Sequence, residues 1–291
     1  MLRRLRPSPA YPLLLPAAAW LVLFFALPLW YLAEMSLRQG SLEQGFTLTF
    51  HWRTYSDALS AYHTQLLRSL LYAGVASALA FAIGYPLAYV IAFRGGRWKS
   101  LLLLLVIAPF FTSYLVRTLA WETILADRSV VTTTLRHLGL LHLTSALGWT
   151  SGDRLLATPA AVVAGITYNY LPFMTLPLYV SLERIDRRLL DAALDLYAGR
   201  TRAFVRVTLP LSAPGIFAGT LLTFVPAAGD YVNAQLLGSS DTTMIGNVIQ
   251  SKFLVFSDYP QAAALSFLLI AATLLFVVAY ARLLGTEDLS G

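Results

Sequence analysis

The sequence predicts an all-α, polytopic membrane protein with about six transmembrane helices. Three observations predict it. Hydrophobic residues make up 57% of the 291 residues, against about 45–50% in an ordinary soluble domain. Only 12% are charged, 21 basic and 15 acidic, which is too few to clothe a soluble globule of this size in polar surface. The apolar residues also gather into long windows free of charge: Pro7–Ala33, Ser69–Phe93, Leu155–Leu182, Val207–Gly229 and Tyr259–Ala281. The same composition excludes a disordered chain, which needs low hydrophobicity and high charge. With no cysteine, disulfides, iron–sulfur clusters and thiol catalysis are excluded too.

A helix rises 1.5 Å per residue, so about 20 apolar residues cross a hydrocarbon core of ~30 Å. The first window is too long for a cleaved signal peptide and has no small-x-small site after it, so residues 13–35 read as a retained first span. His51–Gln65 reads as a short amphipathic helix with Trp52, Tyr55, Leu59 and Tyr62 on one side. The second span covers 66–93. The third covers 100–125, built on the run Leu101–Ala108 and continuing past Arg117. Asp127–Asp153, with Gly139, Gly148 and Gly152, lacks a spanning run and reads as a partly helical outer loop. The remaining spans are 156–181, 210–235 and 259–283. Trp30, Trp98 and Trp121 fall near span ends, where an interfacial belt places them. No repeat of 20–50 residues and no low-complexity linker interrupts the chain, so 1–291 reads as a single domain.

Positive charge sets the expected sidedness. With the N-terminus inside, thirteen of the 21 basic residues are cytoplasmic, among them Arg3, Arg4, Arg6, Arg94, Arg97 and Lys99. Seven, spread over longer loops, are outside, and Arg117 lies within the third span. The positive-inside rule then puts both termini in the cytoplasm. The net charge of +6 belongs to loops facing anionic lipid and not to a nucleic-acid partner.

One loop departs from its surroundings. Glu183–Arg206 holds ten charges in 24 residues. Ile185, Leu189, Ala192 and Leu196 recur at helical spacing, which predicts an amphipathic helix. A turn near Tyr197–Gly199, a second helical piece over Arg200–Thr208 and an entry to the fifth span at Pro210 complete it. An ordinary connection takes about 2–8 residues. This one is a folded element whose apolar stripe suits docking onto a partner.

Asp191-Ala192-Ala193, followed by Val207-Thr208-Leu209-Pro210 at the right distance, resembles the EAA loop of ABC-importer permeases, E-A-A-x3-G-x9-I-x-L-P. Asp191 stands for Glu, Tyr197 for Gly and Val207 for Ile, and Gly199 lies two residues beyond the motif glycine. Phe93–Trp121, Tyr168–Asp186, Leu209–Gly238 and Met244–Phe253 are similar to the spermidine/putrescine (PotB-type) permeases. That branch also resembles permeases for opines, phosphonates and ferric iron. The likeness runs over roughly Ser69–Arg282. It implies a MetI-like, type I ABC importer permease fold, multi-pass in the inner membrane, with no cofactor on this chain. It also implies a second permease (PotC-like), two copies of an ATP-binding subunit (PotA-like) that hold ATP and Mg, and an extracytoplasmic solute-binding protein (PotD-like). The sequence agrees that ATP is not handled here, since it lacks a G-x-x-x-x-G-K-[ST] phosphate cradle. The coupling residues it implies are Asp191, Ala192, Ala193, Leu196, Tyr197, Gly199, Val207, Leu209 and Pro210. The small Ala192 and Ala193 would let the ATPase approach closely.

For the substrate path, an ionisable group at membrane depth is a functional candidate by default, because it costs at least ~2.5–3.5 kcal/mol at the centre. Arg117, Glu122 and Asp230 qualify. A polyamine needs carboxylates for its ammonium groups and aromatic faces for cation–π contact. Asp230, Tyr231 and Asn233 on the fifth span and Tyr168, Asn169 and Tyr170 on the fourth supply both types, with Glu122 on the third. Asp230 has other readings, as a structural ion-pair partner of Arg117 or as a residue already in the outer headgroup zone. His51, His63, His137 and His142 lie in outer loops without carboxylate or cysteine at ligand spacing, so no metal site is expected. Gly84-Tyr85-Pro86, Leu171-Pro172 and Ala213-Pro214-Gly215 are candidate hinges. An ion-coupled carrier would use a buried acid but would not need the charged loop. A membrane enzyme would need a motif such as H-E-x-x-H or G-x-S-x-G, and neither occurs.

Overall fold

The structure is a computed structural model that describes residues 10–146, 148–197 and 199–283. Arg3, Arg4 and Arg6 lie outside the described residues, as do both termini. Contacts divide the chain into two compact units, 1–61 with 249–268, and 62–248 with 269–291.

The first unit opens with α1 (Ala10–Leu21), a single π-helical turn (Val22–Ala26) and α2 (Leu27–Ser36). Nearly all of this helix is exposed, with Leu14, Phe24, Phe25 and Trp30 open on every side. Such all-round apolarity is that of a membrane span. An antiparallel hairpin follows, β1 (Arg38–Ser41) on β2 (Gly45–Leu48). The all-α expectation missed it. Gly40 and Gly45, both at positive φ, make the turn, and the short alternation Phe46-Thr47-Leu48 is its faint signal in the sequence. The helix expected at His51–Gln65 is the first segment of α3 (Arg53–Arg94), which is two helices joined at a kink at Tyr62 (φ −125°, ψ 15°).

The second unit continues along α3 to α4 (Lys99–Ile107), α5 (Tyr114–Leu125), α6 (Val130–His137), α7 (Leu140–Ala146) and α8 (Pro159–Glu183). After these come α9 (Arg187–Tyr197), α10 (Arg200–Ala203), α11 (Leu209–Leu211), α12 (Ala213–Ala228), α13 (Val232–Leu237), α14 (Ile245–Leu254) and α15 (Tyr259–Leu283). α8 is the core helix. Its N-terminal half (Val162, Val163, Ile166) packs with Tyr72, Ala73 and Ala76 of α3 and Phe224, Ala227 and Ala228 of α12. Its C-terminal half (Met174, Leu178, Leu182) packs with Tyr85, Ala88 and Ile91 of α3. α12 approaches α8 through Gly215 and Gly219. A Cβ at Gly215 would lie 2.5 Å from that of Ser181 and 2.7 Å from the Pro177 carbonyl oxygen. This is the small-xxx-small packing by which membrane helices come close.

Two expected spans are broken. In the third, a 3-10 turn (Ala108–Phe111) ends in extended Thr112, and the helices on either side differ in direction by 95°. Pro109 contributes no N–H, and both the amide and the hydroxyl of Thr112 turn back to its carbonyl. The fifth is bent by 62° on entry, at Ser212 and not at Pro210, and interrupted again at Gly229–Tyr231.

By length and apolarity, three described helices suffice to cross a membrane: Leu14–Ser36, Arg53–Arg94 and Tyr259–Arg282. Counting each bent pair as one span raises this to five. α8, 25 residues long, occupies the stretch expected as the fourth span but is not among these helices. Polar residues along it, Thr167, Asn169 and Thr175, lower its apolarity, and all three are buried inside the fold.

Candidate functional site

The site forms where the two broken spans meet α8. Asp230, 6% exposed, lies in the gap between α12 and α13. Its Oδ1 accepts the backbone N–H of Asn233 at 3.1 Å, a local capping bond at the start of α13. Its Oδ2 accepts the Asn233 side-chain amide at 2.7 Å and the Tyr114 hydroxyl of α5. The Asn233 amide also reaches the Tyr114 oxygen at 2.5 Å. The Asn233 carbonyl accepts from the Thr118 hydroxyl at 3.4 Å and from the Asn169 amide at 3.3 Å. Asn169 further donates to Thr118 Oγ1 at 3.3 Å. One buried polar network therefore ties α5, α8 and α13 together, and it coincides with the breaks. The chemistry requires this, since irregular backbone at membrane depth needs polar partners. The Tyr231 carbonyl, which takes the Gln235 backbone amide at 2.9 Å, also accepts the Asn247 side-chain amide of α14 at 2.8 Å. Gly246 beside it has no room for a side chain, because a Cβ would stand 2.5 Å from the Gly229 carbonyl oxygen.

Aromatic rings line the same level. Tyr170 stands 6.4 Å from Tyr114 and 6.0 Å from Phe173, and Phe173 lies 5.0 Å from Phe110. Arg117, 9% exposed, stacks its guanidinium over Tyr114 and Phe110 at 5.7 and 5.8 Å. Its Nε and Nη1 are buried without a hydrogen-bond partner among the described residues. No ion pair joins Arg117 to Asp230 among the described residues. Tyr114 holds the place that the ion-pair reading gave to Arg117.

The structure thus brings together Asp230, Asn233, Asn169 and Tyr170 of the expected pathway residues. Tyr168 turns aside to Trp121, 5.4 Å between rings. Tyr231 is 41% exposed at the break. Glu122 stands on α5 a turn past Thr118, outside this set of hydrogen bonds. Tyr114 and Thr118 were not foreseen. Their spacing of four puts both on one helix face, a signal that their ordinary residue types hide.

The charged loop is a second feature. Asp186 starts α9, its Oδ1 accepting the Arg188 amide at 2.9 Å. α9 runs through Asp191, Ala192 and Ala193 to Leu196 and Tyr197, whose side chains lie outside what the structure describes. Ala193 is 4% exposed and packed within the chain, while Ala192 is open, so only one of the expected small residues faces outward. Asp191, Leu189 and Asp195 are exposed as well. Gly199 precedes α10 in extended conformation (φ −170°), so the turn does not depend on a glycine. Val207 lies in a π-helical turn (Phe204–Thr208), and Leu209 and Pro210 begin α11. Lys99 pairs with Glu183 at the ends of α4 and α8 beside this loop.

A helical membrane protein with discontinuous spans and a folded, charged loop between its fourth and fifth segments belongs to the permease class of importers. Residues 84–285 match the family described as "Binding-protein-dependent transport system inner membrane component", and the chain belongs to that family. It is 36% identical to the spermidine/putrescine transport system permease protein PotB of Haemophilus influenzae, over 91% of this chain and 90% of that one. It is 35% identical to the protein of that name from Escherichia coli K12, over 90% and 93%. The inner membrane ABC transporter permease protein YdcU of Escherichia coli K12 is 34% identical over 77% and 72%. A chain from the crystal structure of a bacterial ABC transporter that imports alginate shares the fold, with a TM-score of 0.63, 19% identity and 94% of each chain covered. The chain is therefore a non-catalytic, multi-pass permease component of the inner membrane, of a family without bound cofactors. Its system depends on an ATPase and on a periplasmic binding protein.

Proposed function

We propose that this chain imports polyamines, forming half of a translocation path whose other half is a second permease. The observation that carries the reading is the identity of 35–36% to two permeases named for spermidine and putrescine, sustained over nine-tenths of both chains. The charge-free windows support six spans at 13–35, 66–93, 100–125, 156–181, 210–235 and 259–283, and the positive-inside count supports both termini in the cytoplasm. One of two ATP-binding subunits grips the 183–209 loop on its open face at Leu189, Asp191 and Ala192, while Ala193 holds the loop to its own chain. A carboxylate among aromatic rings is the chemistry that suits an ammonium ion, and Asp230 supplies it. A passing polycation would take the place of the Tyr114 hydroxyl at Oδ2.

Reconstitution with the partner subunits and binding protein tests the reading, by measuring which solute stimulates ATP hydrolysis. Spermidine or putrescine is expected. Stimulation only by an opine, a phosphonate or ferric iron overturns the substrate, and uptake that persists under vanadate overturns the energy source. Asp230→Asn should cut uptake about tenfold or more with assembly retained, as loss of a charge-assisted contact implies. Unchanged uptake removes Asp230 from the path.

A further inference from the structure

We propose that Phe204 is the positioning residue that transmits movement of the 183–209 loop to α3, with Tyr85 as its receiving side chain. The inference rests on the reading that this loop is where the ATPase acts. Phe204 opens the π-helical turn Phe204–Thr208, a geometry that recurs at functional sites. Its ring stands at 90° to that of Tyr85, 5.7 Å away, and at 73° to that of Tyr89, 6.0 Å away. Tyr85 is buried, and its hydroxyl lies 2.9 Å from that of Ser212. Ser212 is fully buried and donates to the Leu209 carbonyl at 2.9 Å. One tyrosine therefore holds the loop on both sides of the π turn, at Phe204 before it and at Ser212 after it.

Tyr85 also sits beside a weak turn of α3. Pro86 lacks the N–H that would close the turn behind it. Gly84 lies against α8, where a Cβ would be 2.9 Å from Thr175 Oγ1. Ser212 marks the 62° bend into α12. A push on the loop therefore reaches α3 and α12 together, one beside a turn short of a hydrogen bond and the other at its elbow. There is room for the movement. A recess of about 460 Å³ separates Tyr89, Phe93 and Arg94 of α3 from Leu190, Asp191 and Leu194 of α9, with Phe204 on its wall. Phe204 is half-buried with its ring packed on Tyr85 and Tyr89, so its effect is on transmission, which co-purification of the ATPase separates from docking.

The test uses the full complex in proteoliposomes with spermidine and the binding protein, and reads solute moved per ATP hydrolysed together with co-purification of the ATPase. Phe204→Ala should keep the ATPase bound while the ratio falls about tenfold, and Tyr85→Phe, which removes only the Ser212 contact, should lower it about threefold. An unchanged ratio in assembled Phe204→Ala overturns the inference alone. If that variant does not assemble, an unchanged ratio in Tyr85→Phe overturns it equally. A native complex that moves spermidine without ATP hydrolysis overturns the coupling reading, and this inference with it.

Discussion

Gly215 offers the sharpest test of how the core is built. It faces α8 at a distance that only a glycine permits. A Cβ there would sit 2.5 Å from Ser181 Cβ and 2.7 Å from the Pro177 carbonyl oxygen. Restoring ordinary contact requires α12 to part from α8 by about 0.9 Å at that point, and overpacking of this kind costs roughly 1–3 kcal/mol. At about 2–4 °C per kcal/mol for a chain of this size class, Gly215→Ala should lower the melting temperature of the purified complex by about 2–12 °C. Gly74 in α3 is the control, because nothing lies within 4 Å of its missing Cβ. Gly74→Ala gains helix preference of up to about 1 kcal/mol and should be neutral or stabilising. Ser181→Gly should rescue Gly215→Ala only in part, since the Pro177 carbonyl belongs to the backbone and stays. Thermal unfolding followed by size-exclusion chromatography measures all three. A Gly215→Ala protein as stable as Gly74→Ala refutes the close packing of α12 on α8.

Tyr114→Phe removes the hydroxyl that donates to Asp230 and accepts from Asn233, and leaving these buried groups short of a partner should destabilise the complex by about 1–3 kcal/mol; a melting temperature equal to the native one would contradict the network. Ala192→Arg on the open face of α9 should abolish co-purification of the ATPase while this chain remains folded, whereas Ala193→Arg should lower folded yield instead, because Ala193 is packed inside. Equal behaviour of the two variants in a pull-down and a solubility assay would refute the assignment of faces.

Hydropathy made most of the helices legible, because long charge-free windows leave few alternatives. It hid the breaks for the same reason. Pro109–Ser113 and Gly229–Tyr231 lie within windows that average to apolar, and a window average does not register where backbone bonds fail. The motif residues identified the loop, but not which of its faces points outward. Ile185, Leu189 and Ala192 form one apolar stripe in α9 and its approach, and Leu190 and Ala193 supply another beside it. Period alone does not choose between them. The partners of Asp230 were half legible. Asn233 is three residues away and falls on the same turn, but Tyr114 is 116 residues distant, and no local pattern joins them.

That coincidence of breaks and polar groups bears on mechanism. An unbroken span satisfies its own backbone, whereas a break frees backbone groups that need polar partners inside the membrane. Here the fifth span stops at Gly229 and restarts at Val232, and Asp230 caps the restart through Asn233. The same carboxylate is bound by Tyr114, the first residue after the break in the third span. Asp230 therefore joins the two discontinuities directly. A cation that drew Asp230 away from Tyr114 would loosen α5 from α13 at the points where neither helix is held by its own continuity. A single charge in the path then has leverage over two helices, which a carboxylate on an unbroken helix would lack. Such a site gives a bound polycation a differential effect on two arrangements of the bundle, and that difference is the thermodynamic requirement for a ligand to shift a conformational equilibrium.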